Sequence, residues 1–166
     1  MKKLNLGCGP NPLKGWVNVD IQKGKGIDKS FDLEKPPYPF NANEFEYILA
    51  NQVLEHVGNL REVFNEFHRI CQNKAIIQIM TPYVGSKSAY FDLGHKSFFN
   101  DKSFTSICGK SSYELENNKK EKFKIVEMDL VPQRFLKWIH PKILKIFAVF
   151  LNNIHVQINC KIMVLK

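Results

Sequence analysis

LNLGCGPNPLKGWVNVDI, residues 4–21, decides how the rest of the chain is read. Leu4–Leu6 is a short apolar strand that stops at Gly7-Cys8-Gly9. Trp16–Ile21 sets Trp16, Val17, Val19 and Ile21 among polar residues, the pattern of a second strand, and places Asp20 near its end. Glycines at a strand end let backbone approach a ligand with no Cβ in the way. In an open parallel sheet, ligands bind outside the carboxyl ends of the strands. A carboxylate at that point can accept both hydroxyls of a ribose, so the stretch predicts a cradle for a nucleoside with a neutral or zwitterionic tail.

The same punctuation continues outward. Ser30–Leu33 is a short third strand carrying Asp32, closed by Pro36, Pro37 and Pro39. Tyr47–Ala50 is a buried fourth strand that ends in Asn51-Gln52. Asn59, with Glu62 three residues on, reads as a helix cap. Leu60, Val63, Phe64, Phe67, Ile70 and Cys71 then fall on one helical face. Ala75–Met80 is a fifth strand, residues 83–118 an irregular segment, and Phe123–Val131 a sixth strand. Residues 133–152 are helical and interrupted by Pro141, and Val156–Leu165 alternates as a final strand. Strands alternating with helical patterns predict one α/β domain over residues 1–166, with a Rossmann-like, doubly wound, mostly parallel sheet.

A dinucleotide cofactor is the natural rival, and the spacing opposes it. The pyrophosphate fingerprint has a third glycine where this chain has Pro12, and its acid follows the turn by about 20 residues. Asp20 follows Gly9 far more closely. Only Pro10–Gly15 separates the turn from the second strand, so the first crossover helix is expected to be a single turn or missing.

The four cysteines, Cys8, Cys71, Cys108 and Cys160, are scattered without metal-ligand spacing and read as free thiols. The opening MKKLNLGCG lacks the apolar stretch of a signal peptide, and a cytoplasmic protein is expected. Net charge is +8, and residues 119–166 hold ten Lys/Arg against three acids. That asymmetry fits an anionic surface or partner, or simply a solvated basic face. A nucleic-acid partner is not favoured, because Arg134 is the single arginine of that part.

LNLGCGPNPLKGWVNVDI, FDLEKPPYPF (31–40) and FEYILANQVLEHV (45–57) together resemble the class I S-adenosylmethionine-dependent methyltransferases of the type-11 group. More narrowly they are similar to a short subfamily with LNLGCG, GW-N-D and LEH motifs. The resemblance covers residues 4–82 in order. It implies a seven-stranded sheet with an antiparallel final strand and S-adenosyl-L-methionine as cofactor; unlike many relatives, the chain is expected to lack the helices before the first strand that cover the cofactor. It implies that Gly7, Cys8 and Gly9 wrap the methionine portion, that Asp20 takes the ribose hydroxyls and that Ile21 packs on adenine. Asp32 and Leu33 would meet the adenine edge, with Asp28 as the alternative carboxylate. Asn51 and Gln52 would meet the methionine amino group.

Glu55-His56 resembles a pair that helps bind a divalent metal in ubiquinone-pathway and small-RNA ribose methyltransferases. Those relatives add an earlier Glu, which here is Gln52, and a later His, for which His95 is the candidate; with Gln52 a poor substitute for a carboxylate, no metal is expected and His56 is read as capping its own helix region. His95 is a candidate for deprotonating an acceptor hydroxyl or amine, against the plainer reading of a loop histidine. Phe98, Phe99 and Phe104 read as an apolar anchor. KPPY (35–38) mimics a DNA-methyltransferase signature, but in the wrong place, since that signature belongs after the fourth strand. The expected reaction is methyl transfer to O or N of a small-molecule, glycan or lipid-linked acceptor. The alternatives are a non-catalytic binding or scaffold domain of the same fold and a nucleic-acid methyltransferase. Residues 133–154, apolar with interspersed lysines, are expected to contact acceptor or membrane surface, or to pack on the sheet or on a second subunit of a homodimer.

Overall fold

The computed structural model describes residues 1–108, 121–151 and 153–166. Its seven strands are β1 (Lys3–Leu6), β2 (Val17–Asp20), β3 (Lys29–Ser30), β4 (Phe45–Asn51), β5 (Cys71–Pro82), β6 (Phe123–Pro132) and β7 (His155–Val164). They form one sheet in the order β3-β2-β1-β4-β5-β7-β6. β7 is antiparallel to both of its neighbours, while the other pairings are parallel. This is the Rossmann-like arrangement with an antiparallel final strand that the sequence predicts.

The direct connection from β1 to β2 has a specific cause. Asn5 and Asn18 face each other across the two strands and are both buried. The Asn5 amide donates to Asn18 Oδ1 at 3.0 Å, and the same oxygen accepts the Leu13 N–H at 2.7 Å. Asn18 Nδ2 donates to the carbonyls of Leu13 and Trp16. Two side-chain amides thus satisfy backbone groups that a crossover helix would have satisfied internally. Trp16 closes the loop edge-on against Tyr47, with the Lys3 ammonium over its indole.

One sheet face carries the core. Leu4, Leu6, Ile48, Ala50, Ile77, Ile79, Ile158, Cys160 and Ile162 are fully buried there. Helix α1 (Leu60–Ile70) adds Val63, Phe64, Phe67 and Ile70 to this cluster. Its N-cap is Asn59, whose side chain accepts the Glu62 N–H. The alternate positions Tyr47, Gln78 and Lys161 are only half-buried, which is why β4, β5 and β7 alternate in sequence.

Most strand ends shift by one or two residues from the sequence reading, and four larger differences have a physical cause. β3 stops at Ser30 because the chain is already turning at Asp32, whose carbonyl accepts Lys35 N–H and whose carboxylate accepts Glu34 N–H. β5 starts at Cys71, directly at the end of α1, with Lys74 in the left-handed region (φ 65°) where the register against β4 shifts. The irregular 83–118 segment contains α2 (Lys87–Phe91) and α3 (Asp101–Ile107), capped by Ser86 and Asn100; its residues 109–118 lie outside the described ones. Pro141 does not interrupt a helix; it opens α4 (Pro141–Phe150) at the first turn, where its missing N–H costs nothing, behind His140 as cap.

One ion pair ties α1 to the proline loop. Glu66 accepts the Tyr38 N–H at 2.7 Å, while Arg69 donates to the carbonyls of Tyr38 and Phe40 and to Glu66 itself. The Arg69 hydrogen bond holds the Glu66 carboxyl below the usual carboxylate range. Arg69→Ala takes the donor from the Phe40 carbonyl and leaves the Tyr38 carbonyl with only Phe40 N–H and Glu66 with only Tyr38 N–H, and is expected to cost about 1–3 kcal/mol. A thermal melt at neutral pH should show the loss. A carboxyl with a depressed folded pKa stabilises above its unfolded pKa and stops doing so as pH falls, so the gap between wild type and variant should narrow on acidification. A gap that widens in acid would show the pair to be no net contributor.

Candidate functional site

The carboxyl ends of β1, β2 and β4 meet at one rim. After β1 the chain turns through Gly7 (φ 59°) and Gly9 (φ 51°), a region that residues with a side chain rarely adopt. Gly7 is fixed by packing as well, because a Cβ there would lie 2.4 Å from Val53 Cγ2. At Gly9 the opposite holds: a Cβ would meet nothing within 4 Å, so the backbone borders open space. Between them Cys8 is buried, with its thiol pushed up chiefly by desolvation.

Asp20 sits against this turn. Its Oδ2 accepts the Gly9 N–H at 2.8 Å, and its Oδ1 accepts Gln22 N–H at 3.1 Å. Cys8 N–H reaches the carbonyl of Val19. The carboxylate is therefore held by backbone at the mouth of the glycine turn, with Ile21 exposed beside it. Phe31 N–H donates to the Asp20 carbonyl, which brings Asp32 to the neighbouring strand end, with Leu33 partly buried against the core. The alternative, Asp28, is engaged elsewhere, since its Oδ2 accepts the Asn18 N–H at 2.7 Å within the sheet. On the other side Asn51 ends β4 and Gln52 takes φ 53°, its N–H bonded to the Met80 carbonyl. Both side chains are exposed at the rim. A glycine cradle open at Gly9, with acids on two successive strand ends, fits a nucleoside whose tail lies along the turn.

The histidines converge where the sequence alone left His95 unplaced. Leu54–His56 forms a single 3-10 turn after β4. The Glu55 carbonyl accepts N–H groups from Lys96 and Ser97 at 2.7 and 3.0 Å, and the Ser97 hydroxyl donates to the Val57 carbonyl. Glu34 adds a further tie, pairing with Lys96 at 2.7 Å and accepting the Gly58 N–H. These bonds set the His56 and His95 rings edge to face, 4.8 Å apart. His56 does not cap its helix region; its Nδ1 lies 3.3 Å from the Gly94 carbonyl, and Asn59 does the capping. His95 Nδ1 lies 2.8 Å from the Ala89 carbonyl. A carbonyl oxygen can only accept, so that contact puts the proton on Nδ1 and leaves the Nε2 lone pair to take another.

Glu55 completes the group. Its side chain is buried, accepts the Thr81 hydroxyl at 3.2 Å, and has its carboxyl pushed up by burial. One ligating atom from each of Glu55, His56 and His95 lies within 4.8 Å of the others. Two imidazoles and a carboxylate could relay a proton or hold a divalent metal. Of the aromatic anchor, Phe99 and Phe104 are buried and stacked on each other, whereas Phe98 is half-exposed against Tyr90.

The sequence reading missed Asn5, Asn18 and Glu34. The signal for the first two was present: a single asparagine at the centre of each of two otherwise apolar strands, LNL and VNV. Glu34 gave none, because its partners Gly58 and Lys96 are remote in sequence.

Residues 16–79 match the family described as methyltransferase domain. No curated protein sequence matches the chain. Among solved structures, a SAM-dependent methyltransferase from Archaeoglobus fulgidus aligns with a TM-score of 0.66 at 14% identity, over 98% of this chain and 85% of that one. One from Mesorhizobium loti gives 0.63 at 11% identity, over 98% and 90%. Phosphoethanolamine N-methyltransferase 2 of Haemonchus contortus, solved with S-adenosyl-L-methionine, gives 0.64 at 14% identity, over 100% of this chain and 50% of that one. At such identities the structures establish the fold. The chain thus carries a methyltransferase-domain match over residues 16–79 and, by its sheet order, the fold of the SAM-dependent methyltransferases with which it aligns.

Proposed function

We propose that the enzyme methylates an oxygen or nitrogen of a small-molecule, glycan or lipid-linked acceptor, with His95 taking the acceptor proton. The observation that carries this reading is that Val53, packed against Gly7 of the glycine turn, leads into the Leu54–His56 turn, whose His56 ring stands 4.8 Å from that of His95, itself fixed through Nδ1 on a backbone carbonyl. When bound, S-adenosylmethionine supplies an electrophilic methyl group on its sulfonium. Gly7, Cys8 and Gly9 would line the methionine portion, with Asn51 and Gln52 near its amino group. Asp20 would exchange its bond to Gly9 N–H for the ribose hydroxyls, and Asp32 and Leu33 would border the adenine. Ile21, exposed at the same strand end, offers adenine an apolar surface.

At the acceptor side the chain's task is alignment and proton removal. His95 Nε2 is the base, and the resulting imidazolium is stabilised by Glu55 nearby. His56, edge-on to His95, limits the rotation of that ring. The bonds from Lys96 and Ser97 to the Glu55 carbonyl keep His95 from drifting with its loop.

Two measurements test this reading. Calorimetry should show S-adenosylmethionine and its demethylated product binding the protein in the micromolar range, with no competition from NAD. Asp20→Ala should weaken that binding at least tenfold while leaving the melt intact, as loss of charge-assisted bonds worth about 1.5–3 kcal/mol implies. No heat with wild-type protein would remove the cofactor assignment, and unchanged affinity in Asp20→Ala would remove Asp20 from it.

Against a panel of acceptors, His95→Gln should lower kcat by about two orders of magnitude or more with cofactor affinity unchanged. Full activity in both His95→Gln and His56→Gln would end the proton-transfer role. Activity abolished by a chelator and restored by a divalent metal would give the three groups a ligating role instead. Cofactor binding without turnover on any acceptor would favour a non-catalytic domain.

A further inference from the structure

Pro132 at the end of β6 pairs directly with His155 at the start of β7, so these antiparallel strands could be joined by a tight turn. Residues 133–154 intervene instead. Connections of that length inside a compact domain are uncommon and are usually functional. Among its described residues, several large apolar side chains face outward. Phe135 and Trp138 are 69% and 83% exposed. In α4, Ile143, Ile146 and Phe147 stand at i, i+3 and i+4, so they form one stripe, and all three are exposed. Leu144 alone, among the described apolar side chains of α4, is buried.

The charges around this stripe have one sign. Arg134, Lys137 and Lys142 are exposed, and no Asp or Glu occurs from Leu130 to Lys166. A second copy of the chain is a poor occupant, because a two-fold interface would set these cations against their own copies. A nucleic acid would match the charge and leave the aliphatic stripe uncovered. An anionic lipid surface matches both: acyl chains take the aromatic and aliphatic side chains while headgroups meet the cations. Among the described residues no helix is long and apolar enough to cross a membrane, so the contact is with its surface.

We infer that the exposed side chains of Arg134, Phe135, Lys137, Trp138 and Lys142, with the α4 stripe, form a docking surface for an anionic membrane. The surface adjoins the histidine pair. Asn153 N–H donates to the Gly85 carbonyl, and Asn153 Oδ1 accepts the Lys87 N–H at the head of α2, whose Ala89 carbonyl holds His95. A docked enzyme would thus hold its acceptor side close to the bilayer, which suits a lipid-linked acceptor. The docking itself stands on the stripe and the charges, independent of the methyl-transfer reading.

The test is flotation of the full chain with phosphatidylcholine vesicles, with and without phosphatidylglycerol. Wild-type protein should float with the anionic vesicles at low salt, remain behind with neutral ones, and be released by high salt. Lys137→Glu with Lys142→Glu, and separately Trp138→Ser with Ile146→Ser, should each reduce partitioning roughly tenfold or more. Binding of the demethylated cofactor product by the same variants reports that they are folded. Its failure in wild-type protein that still floats would count against the cofactor site and leave the docking surface standing. Wild-type protein that stays unbound at low salt overturns the inference, and so do folded variants that float like wild type. A dimer that dissociates on Ile146→Asp and does not float assigns the surface to a second copy and overturns it too.

Discussion

The buried amide pair of Asn5 and Asn18 is the contact on which the arrangement of the glycine turn and Asp20 depends. In a parallel sheet the return from one strand to the next must satisfy its own backbone groups, and a crossover helix does so internally. Here Asn18 Oδ1 takes hydrogens from both Asn5 and Leu13, and its amide serves two carbonyls of the loop. The loop can therefore run straight from β1 to β2. With β2 in register, Asp20 arrives opposite the glycine turn and accepts Gly9 N–H. If these amides were apolar, the loop would lose its internal partners and the strand end would lose its fixed position.

The histidine pair rests on an analogous economy of contacts. A backbone carbonyl, that of Glu55, receives two N–H groups from a loop some forty residues later in the sequence. Those bonds do not depend on the identity of the side chains at positions 96 and 97. The side chains of the proposed proton transfer, His95 and Glu55, take no part in those bonds. The exposed Glu34–Lys96 pair adds little stability in water, and its use is to orient the loop relative to the Asp32 turn.

Much of this was legible in the sequence, for reasons that differ by element. The strand β5 and the final strand β7 alternate because one face is buried and the other half-solvated, so period-two reading found them. Gly7, Gly9 and Asp20 were legible because the backbone of the turn and the strand end constrain residue type directly. Helix α4 was misjudged at Pro141, since proline breaks a helix from within and starts one from its first turn, and composition alone does not say which. The strand β3 was overrun because Asp32, although flanked by Phe31 and Leu33, bonds its own downstream backbone and bends the chain. His95 could not be placed because its position follows from backbone hydrogen bonds to Glu55, which leave no trace in either segment. The same holds for Glu34.

The cysteines carry a consequence of their own. All four thiols are buried, and burial pushes those of Cys71 and Cys160 up to about 12. Alkylating reagents attack thiolates, so the closed protein presents them with almost nothing to attack. Cys71 and Cys160 lie on β5 and β7, and Cys8 in the glycine turn. Label can reach these positions only when the strands part or the turn opens. The rate at which each sulfur takes up label is therefore a site-by-site record of how often that part of the molecule comes undone, written in by the sequence with no engineered probe.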